Sequence, residues 1–362
     1  MAADITLRGP GDVLATLPYQ LGYHPEESVV VVALDGRRVA FVARCDIPPE
    51  SGVAQTAEAL VEPVVREGFG AVVLVGYESA ADDSRPLLTA VVEALERRRV
   101  EVLSVDAVRH GRRYSLVCAE RCCPPGGEPV PDPAAVPAVA ELVALGRAPL
   151  PSRAAVERLV EPDDPGSGLR APRRGARDPV PRETGIRAWA EVLAPPVEHA
   201  SRPLGVTPWP PRVVADAAGA LADIPLRDAL VGWLAPGVLP RSALDRPVVA
   251  LLEASLPRWA GMGSWHQEAG GAPGRDILLE RLLRLARSVP DSEAASAAAV
   301  CTVAAHVAWA QGDGALARAA LERAVRLDPT YRLARLLVRL VEVGLRMTPP
   351  DRPGGEDVRR AV

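Results

Sequence analysis

Hydrophobic patterning in the first third of the chain alternates between the periods typical of strands and helices. Residues 28–34 form a continuous, mostly β-branched run, and residues 38–47 follow the period of two expected of a strand. The dipeptide Asp35-Gly36 lies between these runs, which is a strong signal for a β-hairpin. Residues 71–75, 100–108 and 114–118 are predicted as further strands.

Segments of helical periodicity separate these strands. Helices are predicted at residues 7–21, at residues 53–67 and after a cap at Ser84, with Gly22 and Gly68 ending the first two. A hairpin pairs its strands antiparallel, whereas a strand-helix-strand unit pairs them parallel. The sequence therefore predicts an α/β N-terminal domain with a mixed sheet covered by helices.

Proline and glycine content divides the remainder of the chain. Residues 1–130 form the predicted α/β domain, and residues 131–185 are predicted to be a Pro/Arg-rich linker with a short helical stretch. Helical periodicity from Ile186 onward predicts an all-α C-terminal domain over residues 186–348. Residues 349–362 are expected to form a disordered tail.

One part of the helical domain has the spacing of a known repeat. Gly312, Ala317, Ala324 and Pro329 match the second half of a tetratricopeptide unit, in which small residues let two antiparallel helices approach closely. The pattern predicts one tetratricopeptide-like hairpin over about residues 298–331, without a tandem array.

Composition excludes several functional classes. All 42 basic residues are Arg, and the chain contains neither Lys nor Asn. A Schiff-base lysine, a P-loop lysine and a Cys-His-Asn nucleophile system are therefore excluded. Both absences fit a GC-rich genome, so the abundance of Arg says little about function.

The charge distribution does not favour nucleic-acid binding. Residues 1–130 hold 13 Arg against 19 acidic residues, and the remainder holds 29 against 27, so neither part is strongly basic. The most basic stretch, residues 170–182, has five Arg but no aromatic residue to stack on a base. A solvated linker is the favoured interpretation, and a phosphate- or nucleic-acid-binding segment is the alternative.

The chain is expected to be cytoplasmic and not bound to a membrane. Its first residues lack the basic and apolar regions of a secretory signal. Residues 294–310 are weakly polar, but Ser296, Thr302 and His306 interrupt the run, which predicts a buried helix of a soluble protein. His306 is expected to be a satisfied core histidine. The five cysteines are expected to be reduced.

Three cysteines cluster near the end of the α/β domain. Cys118, Cys122 and Cys123 could bind zinc with His110 or Cys45 as the fourth ligand, since a structural zinc site needs four N or S ligands. They could also form a redox pair or disulfide, or be ordinary packing thiols. Packing thiols are the favoured interpretation, so no cofactor is expected, with zinc as the alternative.

A second group of candidate residues lies on the predicted hairpin. Arg44 and Asp46 are two residues apart on one strand and so share a face, and Ser28 begins the neighbouring strand. A guanidinium, a carboxylate and a hydroxyl at one sheet end could orient a polar ligand. The alternative is a simple ion pair of small energy, about 0–1 kcal/mol.

Several short motifs are distinctive: Leu7-Arg8-Gly9-Pro10, Leu21-Gly22-Tyr23-His24-Pro25, Ser28-Val29-Val30-Val31, Arg44-Cys45-Asp46-Ile47-Pro48, Cys122-Cys123-Pro124-Pro125-Gly126, Gly312-Asp313-Gly314-Ala315, Asp328-Pro329 and Tyr331-Arg332-Leu333-Ala334. With Pro18, Cys118 and Trp309, they cover most of the chain. In these motifs the chain resembles the actinobacterial domain-of-unknown-function family DUF4192. The resemblance implies an actinobacterial, cytoplasmic origin and no particular activity.

Two functions are compatible with these features. No complete catalytic motif is found, so the first hypothesis is a non-enzymatic interaction or regulatory protein. Its helical C-terminal domain would dock a protein partner or a second copy of the chain. The alternative is an enzyme or small-ligand sensor, with its site at Ser28, Arg44 and Asp46 or at the cysteine cluster.

Overall fold

The structure is a computed structural model that describes residues 8–36, 38–118, 123–162, 179–194, 209–256 and 275–342. Internal contacts divide the chain into two units, whose main spans are Ala2–Ala155 and Val156–Val341. The division falls inside residues 131–185, the segment predicted to be a linker. The predicted tail, residues 349–362, lies outside the described residues.

In the described residues, the N-terminal unit combines one sheet with the α-helices α1 to α4. Its elements are, in chain order, α1 (Pro10–Leu21), β1 (Ser28–Asp35), β2 (Arg38–Asp46), α2 (Val53–Arg66), β3 (Ala71–Tyr77), α3 (Arg85–Arg97), β4 (Glu101–Arg109), β5 (Arg112–Ser115), β6 (Glu128–Pro129) and α4 (Pro137–Ala144). A short helix, α5 (Arg153–Arg158), crosses the division between the two units.

The sheet is mixed, with strand order β2-β1-β3-β4-β5-β6. Strand β1 is antiparallel to both β2 and β3, whereas β3 and β4 are parallel. The β1–β2 hairpin closes with Asp35 opposite Arg38. Gly36 takes a φ of +60° in this turn, a conformation that glycine adopts without steric cost.

Helices cover both faces of the sheet, so β1 is buried on each side. Side chains of α2 and α3 pack on the face that carries Val29 and Val31, and side chains of α1 and α4 pack on the face that carries Val30 and Val32. All four valines are fully buried. A strand buried on both faces has a continuous apolar sequence rather than an alternating one, which explains the unbroken run at residues 29–34.

The C-terminal unit is helical. Its elements after α5 are α6 (Arg182–Val192), α7 (Pro211–Gly219), α8 (Ile224–Leu234), α9 (Arg246–Ser255), α10 (Arg275–Ser288), α11 (Ala294–Ala310), α12 (Gly314–Leu327) and α13 (Arg332–Glu342). Helix α11 is buried from Ala297 to Ala308 and packs against α7, α8, α10 and α12. Its many alanines let these neighbours approach closely.

One segment in the described part of the chain is long and apolar enough to cross a membrane. It spans Asp291–Ala310, and 67% of an apolar 18-residue stretch within it is buried inside the protein. Core helices of soluble proteins pass the same length and composition test, so this segment is weak support for a membrane span.

A buried arginine ties the C-terminal helices together. The Arg323 guanidinium is fully buried on α12 and donates hydrogen bonds to the main-chain oxygens of Val160, Ala286 and Val289. It also pairs with the Asp291 carboxylate at 2.7 Å. Because a buried charge is costly unless it is paired and hydrogen-bonded, this one side chain fixes the positions of three chain segments.

The predicted fold class is confirmed in its coarse form: an N-terminal mixed sheet with helices, followed by a helical region. The fifth strand differs from its prediction, because it spans Arg112–Ser115 rather than residues 114–118. Its pairing with β4 begins directly at the His110-Gly111 turn, where Arg109 lies opposite Arg112. The position of the turn, rather than the apolar pattern of the sequence, therefore determines where β5 begins.

Replacing Arg323 with Met is expected to destabilise the protein strongly. The variant leaves the buried main-chain oxygens of Val160 and Val289 without a donor, whereas the Ala286 oxygen still accepts from Val289 N. Each unsatisfied buried group costs about 1–3 kcal/mol. We expect the free energy of unfolding in urea to fall by at least about 2 kcal/mol. The control is Arg318→Met on the same helix, whose exposed pair with Glu322 is worth about 0.3–0.5 kcal/mol. Equal losses in the two variants would contradict a special role for Arg323.

Candidate functional site

The ends of several strands meet at one edge of the N-terminal sheet. Strands β2 and β3 are both antiparallel to β1, and β4 is parallel to β3. The carboxyl ends of β2, β3 and β4 therefore lie at the same edge as the start of β1. Ligands of open α/β sheets bind outside the carboxyl ends of strands, so a ligand site is expected at this edge.

Backbone strain is concentrated at the same edge. Four non-glycine residues among those described have a positive φ, and three of them, Glu27, Asp82 and His110, lie in loops at this edge. Glu27 precedes β1, Asp82 follows β3, and His110 follows β4. Such conformations are uncommon for non-glycine residues and cluster at functional sites.

The three hairpin residues singled out by the sequence come together at this edge. Ser28 lies opposite Asp46, and Arg44 lies opposite Val30 on the same face. Arg44 Nη1 pairs with Asp46 Oδ1 at 2.6 Å, and Arg44 Nη2 donates to the Glu26 main-chain oxygen at 3.2 Å. The Arg44 guanidinium therefore lies between Asp46, which is opposite Ser28, and the loop that precedes Ser28.

A second arginine joins this group from far along the chain. Arg153, at the start of α5, donates from Nη1 to Asp46 Oδ2 at 2.9 Å. Its position depends on Leu150, which forms a β-bridge with Tyr23 and exchanges main-chain hydrogen bonds with Gly22 and His24. We call Ser28, Arg44, Asp46 and Arg153 the Ser28 cluster. The sequence offered no signal for Arg153, because 107 positions separate it from Asp46.

Two polar atoms of the Ser28 cluster are buried without a partner. Within the described part of the chain, neither Ser28 Oγ nor Arg44 Nε has a hydrogen-bond partner. Ser28 is fully buried, and the Arg44 side chain is only 10% exposed. More than nine in ten buried polar groups in proteins are satisfied. Two such exceptions on one face, at one end of the hairpin, are therefore unusual.

A tyrosine flanks Ser28 on its other side. Tyr77, the last residue of β3, lies opposite Ser28 in the β1–β3 pairing. Burial raises the pKa of the Tyr77 phenol well above its ordinary value, because removal from water disfavours the phenolate. The phenol therefore stays protonated throughout the physiological pH range. Nothing in the sequence distinguishes this residue, because it ends an ordinary apolar strand.

A second buried network lies at the same edge on the opposite face. The Glu78 carboxylate is fully buried, accepts hydrogen bonds from Ser84 N at 3.0 Å and from Ser84 Oγ, and pairs with Arg109 at 2.8 Å. Ser84 occupies the cap position of α3, but its side chain makes no capping bond. The predicted capping role of the Ser84 side chain is thus wrong, because its hydroxyl donates to Glu78 instead of to the first turn of α3.

This network requires a glycine in the neighbouring strand. A Cβ added at Gly76 would lie 1.9 Å from Ser84 Oγ, a distance that no real contact allows. Gly76 therefore makes room for the Ser84 hydroxyl to reach Glu78. Both carboxylate oxygens of Glu78 are hydrogen-bonded, so the network holds the β3–α3 loop in place.

Two of the cysteine candidates, Cys118 and Cys123, lie in the part of the chain that follows β5. Cys118 and Cys123 are both half-buried, and the thiol of Cys123 lies 4.0 Å from Arg113 Nη2. His110 is exposed in the β4–β5 turn. Cys122 lies outside the described residues. Among the residues that the structure describes, no group of three or more His, Cys, Asp or Glu side chains is arranged to hold a metal ion.

The basic stretch at residues 170–182 is only partly described, because residues 163–178 are not. Arg182 forms a two-pronged pair with Asp223, with Arg182 Nε to Asp223 Oδ2 at 2.7 Å and Nη2 to Oδ1 at 3.0 Å. In the C-terminal unit this pair joins the start of α6 to the cap of α8. The described end of the stretch thus has a contact within the protein.

His306 lies in the core of the C-terminal unit. It is 5% exposed, and its Nδ1 lies 2.8 Å from the Thr302 main-chain oxygen, which can only accept. Nδ1 therefore carries the proton in the neutral ring. Burial lowers the pKa of His306, and the positive charge of Arg227 adds to this while Asp228 opposes it.

Comparison with known proteins gives one match. A family model described as "Domain of unknown function (DUF4192)" matches residues 10–348, nearly the whole chain. The resemblance drawn from the sequence motifs is thereby confirmed. No curated protein and no solved structure matches the chain.

The buried His306 is expected to make stability depend on pH. Its pKa in the folded protein is below the ordinary value of 6.5, so between these two pKa values the unfolded chain binds more protons than the folded protein. The contribution of His306 to the free energy of unfolding should therefore have its full value above pH 6.5 and decrease as the pH falls below 6.5.

Urea unfolding of the wild type and of His306→Gln between pH 5 and 7.5 measures this contribution. The variant cannot gain a proton at this position, so its stability should fall less steeply with decreasing pH. Parallel pH profiles for the two proteins would exclude His306 as the titrating group.

Proposed function

The chain belongs to the DUF4192 family, and we propose that its N-terminal unit binds a small oxyanion-bearing ligand at the Ser28 cluster. The observation that carries this proposal is the pair of buried, unpartnered polar atoms, Ser28 Oγ and Arg44 Nε. This function corresponds to a small-ligand sensor rather than an enzyme, since the cluster contains no activated nucleophile.

Hydrogen-bond chemistry selects an acceptor as the ligand. Arg44 Nε carries one hydrogen and can only donate, and the Ser28 hydroxyl can donate as well as accept. A ligand atom shared by the two must therefore accept at least one hydrogen bond. Oxygen atoms of a carboxylate or a phosphate meet this requirement and form the stronger, charge-assisted bond with the guanidinium.

The local charge also favours an anion. Asp46 is bound by two arginines, Arg44 and Arg153, so the Ser28 cluster has a net charge of about +1 from these three ionised groups. The Asp46 carboxylate fixes the orientation of the Arg44 fork and leaves Nε directed elsewhere. A bound oxyanion would neutralise the remaining charge.

Replacing Ser28 with Ala tests this proposal. Without added ligand, the variant removes a buried hydroxyl that has no partner, so the free energy of unfolding should stay equal or rise by up to about 1 kcal/mol. In titration calorimetry against formate, acetate, sulfate and phosphate, at least one ion should bind the wild type and bind the variant more weakly.

The matched control is Ser104→Ala. Ser104 Oγ is likewise buried and unpartnered within the described residues, and it lies on β4, away from the Ser28 cluster. The same ion should bind this variant as it binds the wild type. If none of the four ions binds, or if the two serine variants behave alike, ordered water is the sole partner of these atoms and the proposal fails.

Self-association through the C-terminal helices is a second candidate function. Helices α11 and α12 pack together across the Gly312 turn, which supports the predicted tetratricopeptide-like hairpin. The following helix, α13, carries three exposed arginines on its surface: Arg332, Arg335 and Arg339. Residues 1–130 have an excess of acidic residues, so a second copy of the chain has the complementary charge.

Sedimentation velocity tests this second function. Wild-type protein should form dimers at low salt and lose them at 0.5 M salt, because screening weakens contacts between exposed charges. Arg335→Glu should weaken the dimer, whereas Arg318→Glu, the same change on α12, should not. A monomer at every salt concentration would remove self-association from consideration.

A further inference from the structure

We infer that Arg153 is a positioning residue of the Ser28 cluster, and that through Arg153 a bound oxyanion fixes the start of α5. This inference rests on the proposed function and adds to it the route by which a sensor communicates that its site is occupied. Three features carry it: the two attachments of Asp46, the charge of Arg153 and the place of α5 in the chain.

Arg153 acts on the Ser28 cluster through the Asp46 carboxylate. Arg44 Nη1 pairs with Asp46 Oδ1 at 2.6 Å, and Arg153 Nη1 donates to Asp46 Oδ2 at 2.9 Å. The Asp46 side chain is 65% exposed, so a single ion pair would hold it only weakly. Two arginines on different oxygens fix the plane of the carboxylate. Because the Arg44 guanidinium is rigid and planar, fixing Asp46 also fixes the direction of Arg44 Nε.

The charge of Arg153 favours an anionic ligand. Without Arg153, the negative charge of Asp46 would offset the positive charge of Arg44, and an oxyanion at Arg44 Nε would feel little net attraction. With Arg153 in place, the cluster attracts the oxyanion, and the oxyanion adds a second negative charge close to Arg153. Coupling between two binding events is reciprocal. Attachment of Arg153 and binding of the oxyanion therefore strengthen each other.

Helix α5 connects this attachment to the rest of the chain. Arg153 is its first residue, and the helix crosses from the N-terminal unit into the C-terminal unit. Shortly after α5, the Val160 main-chain oxygen accepts a hydrogen bond from the buried Arg323, a contact that lies within the C-terminal unit. The segment from Arg153 to Val160 is thus held at its first residue by Asp46 and at its last by Arg323. Occupancy of the Ser28 cluster therefore acts on a segment that leads into the C-terminal core.

Hydrogen exchange of the full chain, followed by mass spectrometry of peptides that cover α5, tests the coupling. Formate, acetate, sulfate or phosphate is added, and chloride at equal ionic strength is the reference. For each anion that binds in calorimetry, exchange of the α5 amides should slow by at least about twofold in the wild type, because the attached state of the helix is more populated. In Arg153→Gln the same anion should leave the exchange of these amides unchanged.

Calorimetry of the same variant measures the reciprocal effect. Arg153→Gln should weaken binding of that anion by about two- to fivefold, the effect of losing one partly exposed charge pair. Arg153→Lys keeps the charge and should restore most of the affinity. The matched control is Arg158→Gln, which removes the same charge from an exposed residue of the same helix and should leave the affinity unchanged.

The outcomes separate this inference from the proposed function. If an anion binds and Ser28→Ala weakens its binding, but α5 exchanges equally fast with and without it, the oxyanion site stands and the coupling is wrong. Full affinity in Arg153→Gln, or equal losses in Arg153→Gln and Arg158→Gln, would also contradict the role of Arg153. If none of the four anions binds the wild type, both proposals fail. The wild-type exchange measurement decides the question even if Arg153→Gln does not fold.

Discussion

The burial of β1 on both faces is the constraint on which the N-terminal unit depends. Residues Val29–Ala33 are fully buried, so both sides of the strand need a covering layer of helices. Strand β1 also runs antiparallel to the strands on either side of it. Its first residue, Ser28, therefore lies among the last residues of its neighbours, and the candidate site is a direct result of this topology.

Two buried arginines illustrate the difference between a structural and a binding role. Arg323 in the C-terminal unit uses all three guanidinium nitrogens, on three main-chain oxygens and on Asp291. Arg44 uses two nitrogens and leaves Nε without a partner. A guanidinium whose donors are all satisfied has nothing left for a ligand, whereas an open donor held in a fixed orientation is prepared to bind one.

Local patterns predicted most of the fold, but only part of the site. The hairpin at Asp35-Gly36 and the shared face of Arg44 and Asp46 follow from spacing alone, because alternate residues of a strand lie on the same face. Ser28 joins that face only because the register shifts between Ala33 and Leu34. An uninterrupted ladder from the Asp35–Arg38 pair would place Cys45 opposite Ser28. The neighbours Arg153 and Tyr77 could not be predicted, since the tertiary fold brings α5 and β3 beside the hairpin. The Ser84 hydroxyl was assigned to a helix cap, and only the structure reveals the buried Glu78 carboxylate that competes for it.

The contact between Asp46 and Arg153 has a consequence for how the protein folds. It joins positions 107 residues apart, and the Tyr23–Leu150 bridge beside it closes a chain segment of similar length. Contacts of such sequence separation form slowly, because the entropy of closing the loop is lost before the contact stabilises anything. During synthesis, the strands of the sheet can pair as they emerge, but the Ser28 cluster is completed only after Arg153 has left the ribosomal exit tunnel.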